Sequence, residues 1–216
     1  MTGPTDRPIP DVAELAARRA AKAERAQRRD LATVLTTIGI AAVVVVVTLV
    51  FRLLEIFGSD GIRVPVQFVG LTAAIPDGVA GAEVQVSDGV VVVSDLPVAT
   101  FASVVLAAVL PAAASLIVIV CAALVFRRLW RGETFAPGTA RLVTIASFAI
   151  LGGWFAASLF GTMASNGALA LLTDDGDFSV TFEVTWLPVL AALALAGLAI
   201  AFRAGERLRA DTDGLV

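Results

Sequence analysis

Four stretches of this chain, residues 31–51, 98–126, 142–173 and 187–202, contain no Asp, Glu, Lys or Arg. No other feature limits the fold as severely. An α-helix rises about 1.5 Å per residue, so roughly 20 apolar residues cross the ~30 Å hydrocarbon core of a bilayer. In lipid, the backbone N–H and C=O groups of a spanning segment must be satisfied within it, which selects helix over open strand. Composition agrees: 58% of the 216 residues are hydrophobic, 16% are charged and the mean hydropathy is +0.89. A water-soluble domain of this length lacks the interior to hide so much apolar surface. The expected class is a mainly α membrane protein, a four-transmembrane-helix bundle.

The runs divide the chain. Residues 1–30 form a polar tail and basic helix, 31–57 the first span, 58–97 an insert, 98–126 the second span and 127–141 a connector. The third span covers 142–165, an acidic loop and strand 166–186, the fourth span 187–202 and a tail 203–216. Apolar sequence continues to Thr173, longer than one tilted helix needs, so the third helix is expected to end near Ser165-Asn166-Gly167. Pro111 inside the second span implies a structural kink, tolerable where neighbours satisfy the freed carbonyl.

Both inserts carry strand signals. Ile62, Val64, Val66 and Phe68 alternate with Arg63, Pro65 and Gln67, and Pro65 suggests an edge strand. Ala82 to Val86, then Ser87-Asp88-Gly89, then Val90 to Val93, reads as a hairpin turning at Asp-Gly. Phe178, Val180, Phe182, Val184 and Trp186 alternate with Ser179, Thr181, Glu183 and Thr185. One small extracytoplasmic β-sheet made by both outer loops is the expectation.

Charge sets the orientation. Seven Lys or Arg precede the first span, four lie in the connector and three in the tail, whereas the first insert has only Arg63 and the second has none. The positive-inside rule then makes both termini and the connector cytoplasmic. The long polar stretch before the first run argues for a retained signal anchor rather than a cleaved leader. Arg18, Arg19, Lys22, Arg25, Arg28 and Arg29 read as a juxtamembrane helix on anionic lipid; direct nucleic-acid binding is not expected.

Chemistry-bearing residues are sparse. The chain has no His and one Cys, Cys121, inside an apolar run, so a disulfide within the chain and histidine-based catalysis are both excluded. No Gly-rich phosphate loop is present and no Asp, Glu, Lys, Arg or His lies near the middle of a span, which argues against an enzyme and against a coupled transporter. Asp174, Asp175 and Asp177 read as a solvated acidic loop rather than a cation site. No catalytic, cofactor or metal site is expected. Ala149, Gly153, Ala157, Gly161 and Ser165 recur every four residues, a ridge of small residues suited to close helix packing. In the connector, Gly132 can end the second helix and Pro137 can start the third. Arg127, Arg128, Trp130, Arg131 and Phe135 of the connector, with Arg203, Arg207 and Arg209 of the tail, are the candidate partner or lipid contacts.

Two runs, Leu129-Trp130-Arg131-Gly132-Glu133-Thr134-Phe135 and Phe202-Arg203-Ala204-Gly205-Glu206-Arg207-Leu208-Arg209-Ala210-Asp211, carry a resemblance. They resemble the bacterial four-helix membrane protein family called domain of unknown function 2975, over residues 31–216. Ala136 departs from that pattern, where a hydroxyl residue often caps the third helix. The resemblance implies a multi-pass protein of the bacterial cytoplasmic membrane, often encoded beside a small helix-turn-helix regulator, and supplies no catalytic residues. The functional expectation is a non-catalytic sensor or membrane tether for a cytoplasmic regulator; the alternative is a small oligomeric channel or transporter component. The expected partners are a bilayer with an anionic inner leaflet, a cytosolic regulator and a second copy of the chain.

Overall fold

The computed structural model describes residues 12–58, 61–74, 83–133, 135–171 and 185–213. The elements in chain order are α1 (Val12–Gly58), β1 (Ile62–Ala74), β2 (Glu83–Val93), α2 (Val98–Trp130), α3 (Thr139–Leu169) and α4 (Trp186–Asp213). Each of the four helices contains a stretch long and apolar enough to cross a membrane. The chain divides into two compact units, Met1–Ile40 and Ala41–Val216. In the first, the Thr33 hydroxyl donates to the Arg29 carbonyl at 3.0 Å and the Thr37 hydroxyl to the Thr33 carbonyl at 2.9 Å. Both hydroxyls are thereby satisfied along the helix itself.

In the second unit α3 is the central element, packing on α2, α4 and β1. Residues 41–58 of α1 are mostly exposed, and only Ile56 among them is buried. Their apolar side chains, including Val43, Val44, Val47 and Val50, face outward. One cluster closes the sheet end. Val64 and Val66, 0% and 2% exposed, meet Ile56 of α1, Val104 of α2 and Ala164, Ala168 and Leu169 of α3. Alternation explains the sheet's contribution: Val64 and Val66 face the helices while Arg63 and Pro65 face away. Phe57 meets Phe101 edge to face at 5.5 Å. The Arg52 guanidinium pairs with Glu55 at 3.1 Å and makes a long, 3.5 Å contact to the Arg63 carbonyl, tying β1 to the end of α1.

Four sequence expectations change. The Asp88-Gly89 turn does not form, because Glu83–Val93 is one strand, with Asp88 opposite Gln67 and Gly89 opposite Val66. A turn there would strip β1 of its antiparallel partner over Ile62 to Val66 and uncover the two buried valines. The register shifts where Phe68, Val69 and Gly70 of β1 stand against Ser87 alone, and the connection between the strands falls at 75–82, outside the described residues. Second, α3 continues through Ser165-Asn166-Gly167 to Leu169. Gly167 is there for close approach, since a Cβ on it would run into the Thr100 side chain of α2. Third, α4 begins at Trp186, not after it, and runs on through the tail to Asp213, with Pro188 in its first turn. Fourth, α3 starts at Thr139 rather than at Pro137. Gly138 precedes it at φ +88°, a left-handed conformation that breaks helical continuity and that glycine alone adopts cheaply. The two strands are the whole sheet among the described residues; the alternating residues 178–184 lie outside them.

Candidate functional site

The connector is built from two glycines. α2 closes with Arg131 as C-cap and Gly132 at φ +73°. The Gly132 N–H donates to the Leu129 carbonyl at 3.0 Å and the Glu133 N–H to the Arg128 carbonyl at 3.0 Å, the paired bonds of a Schellman motif. Gly132 therefore ends the second helix, as its position suggests. Arg128 then reaches across the turn. Its guanidinium donates to the Pro137 carbonyl and to the Thr139 hydroxyl, each at 3.2 Å, and Thr139 is fully buried.

The end of α4 completes this corner. Gly138 offers no side-chain cap to α3, but the Glu206 carboxylate accepts from the Ala140 N–H at 2.9 Å. A carboxylate on the first turn of a helix satisfies an otherwise orphaned donor and faces the positive end of the helix dipole. The cap that Gly138 cannot supply thus comes from a residue 66 positions after Ala140. Phe135 adds an apolar contact: its ring lies 6.2 Å from that of Phe202 and covers Gly205, where a Cβ would collide with it. One helical turn of α4, Phe202 to Glu206, thereby holds the connector by an aromatic pair on one side and a cap on the other.

The structure brings the candidate contact residues to one end of the molecule and separates them by role. Arg128 is half-buried and spent on the turn, and Phe135 is spent on α4. Arg127, Trp130 and Arg131 on the last turn of α2, and Arg203, Arg207 and Arg209 on α4, are exposed. Glu206, Gly205, Gly138 and Thr139 are the residues that sequence reasoning missed as the organisers of this corner. The only signal for Glu206 was an acid inside a basic tail.

The small-residue ridge is divided as well. Gly153 is buried, and a Cβ on it would lie 2.5 Å from the Ala114 Cβ and 3.8 Å from the Pro111 Cα of α2. Ala149 and Ala157 are half-buried, and Gly161 has open space around it. Geometry accounts for the split. At about 100° per residue, eight residues turn Gly161 by about 80° from Gly153, whereas fourteen residues bring Gly167 back to within about 40°. Gly153 and Gly167 are accordingly the two glycines that meet α2. On the α4 side, the buried Ser147 hydroxyl donates to the Ala192 carbonyl at 2.8 Å.

Among the described residues no group of three His, Cys, Asp or Glu is placed to hold a metal ion, and Asp174, Asp175 and Asp177 lie outside them. No family model, no curated protein and no solved structure matches the chain.

Proposed function

We propose that this chain is a non-catalytic integral membrane protein that serves as a sensor or tether for a cytoplasmic regulator of the helix-turn-helix type. One observation carries the reading. Phe135 and Glu206 join the connector to the end of α4, so two basic segments distant in sequence form one surface with Arg127, Arg131, Arg203 and Arg207 exposed on it. Segregated cations of this kind belong on the cytoplasmic side. The proposal therefore has both termini and the connector in the cytoplasm and the sheet outside, in a bacterial cytoplasmic membrane.

The acidic second insert, with its alternation over residues 178–184, would extend the two-stranded sheet, whose strands each keep an unpaired edge among the described residues. Such an assembly links an outer sheet, through α3, to the basic corner, which is the layout a sensor needs. The resemblance to the domain of unknown function 2975 family supports a regulator as the partner.

The test compares the wild-type chain with a variant in which Arg127, Arg131, Arg203 and Arg207 are all changed to Glu. Each is purified from the native host in mild detergent and its companions are identified by mass spectrometry. The expected result is a cytosolic regulator with the wild type, reduced at least tenfold in the variant, since charge complementarity governs encounter at such a surface. An identical set of companions from both chains would contradict the proposal.

A further inference from the structure

We infer that the groove between α3 and α4 seats one acyl chain of an anionic phospholipid, with the lipid phosphate on the Arg203 guanidinium. The groove has a volume of about 290 Å³ and is lined by Phe148 and Leu151 of α3 and by Leu193, Ala196 and Ile200 of α4, with Arg203 at one end. The two hydroxyls in its wall are already satisfied by backbone: Thr144 donates to the Ala140 carbonyl at 2.9 Å and Ser147 to the Ala192 carbonyl at 2.8 Å. What remains is an apolar slot with a single charged group, a guanidinium, at its connector end.

Length decides the occupant. On α4 the lining runs from Ala192 to Arg203, about 16 Å at 1.5 Å per residue, and on α3 from Thr144 to Leu151, about 10 Å, against about 15 Å for half of the ~30 Å hydrocarbon core. The slot stays within one leaflet, the depth of a single lipid tail below its headgroup. A helix, about 10 Å across, would cover this slot without filling it. The exposed Arg141 stands three residues before Thr144 and seven before Phe148, on the same helical stripe of α3. Guanidinium donors match phosphate oxygens two at a time, whereas a zwitterionic headgroup places its own cation against them.

The inference rests on the membrane reading above, and its test keeps the two apart. The full chain is reconstituted in phosphatidylcholine vesicles with a minor share of phosphatidylglycerol, and lipids retained on detergent release are counted by native mass spectrometry. Wild type is expected to retain phosphatidylglycerol preferentially. Arg203→Ala is expected to lower that retention roughly fivefold, the value of one cation near an anionic surface. Ala196→Leu and Ile200→Trp, which fill the slot and leave every charge in place, are each expected to lower it as well. Equal retention of both lipids by an integrated wild-type chain would overturn the seat alone. The same follows if Arg127→Ala costs as much as Arg203→Ala while both filling variants cost nothing. A chain stripped from the vesicles by alkaline carbonate would overturn the membrane reading and the seat with it.

Discussion

Single glycines decide how closely the helices of this protein approach. Gly153 and Gly161 have the same residue type, lie on the same helix and belong to the same four-residue ridge, yet only the first touches α2. Gly153→Ala is expected to cost about 1–3 kcal/mol, because its methyl would stand 2.5 Å from the Ala114 Cβ and the Pro111 backbone lies directly behind it. Gly161→Ala is expected to be neutral or to stabilise by up to about 1 kcal/mol through helix propensity alone. Thermal unfolding of the two variants in one detergent checks the contrast; equal losses would mean that α2 and α3 do not pack through Gly153. The ridge was visible in the sequence, but its direction was not. A four-residue repeat marks a stripe that winds around a helix, and only a partner shows which part of it is covered.

At the scale of elements, much of this fold was legible because long uncharged apolar runs select helix and glycine permits a helix to end. The four apolar runs all became helices, Gly132 ended α2 where its backbone freedom allowed, and Val64 and Val66 faced inward as their alternation required. What stayed hidden was settled by contacts distant in sequence. Asp88-Gly89 carries a local turn preference, but β1 pairs with β2 on both sides of it, Ile62 to Gln67 before the register shift and Leu71 to Ala74 after it. Gly167 reads as a helix stop until Thr100 is placed against it. The start of α3 was hidden for the same reason, since its cap comes from Glu206. The cap gives a second contrast. Glu206→Ala is expected to lower stability by about 0.5–2 kcal/mol, the range for loss of a helix N-cap. Glu206→Gln keeps an acceptor oxygen and loses only the charge, so it is expected to cost about 0.3–1 kcal/mol. Trypsin cleavage after Arg203 and Arg207 gives a parallel reading, because a released α4 end is cut faster. Equal melting and cutting of wild type and both variants would contradict the cap.

At the scale of the whole molecule, α3 is the axis of the second unit. Its sheet end carries Ala164, Ala168 and Leu169 into the cluster around Val64, and its connector end carries Thr139 and Ala140 into the corner held by Arg128 and Glu206. The proposed topology puts these two ends on opposite sides of a membrane, with the basic corner inside. Single cysteines in a Cys121→Ser background test it most directly, placed at the exposed positions Ser94, Arg131 and Ala204 and probed with a membrane-impermeant maleimide. Ser94→Cys is expected to label in intact cells, and Arg131→Cys and Ala204→Cys only after permeabilisation. Labelling of Arg131→Cys in intact cells, or protection of Ser94→Cys there, would contradict it.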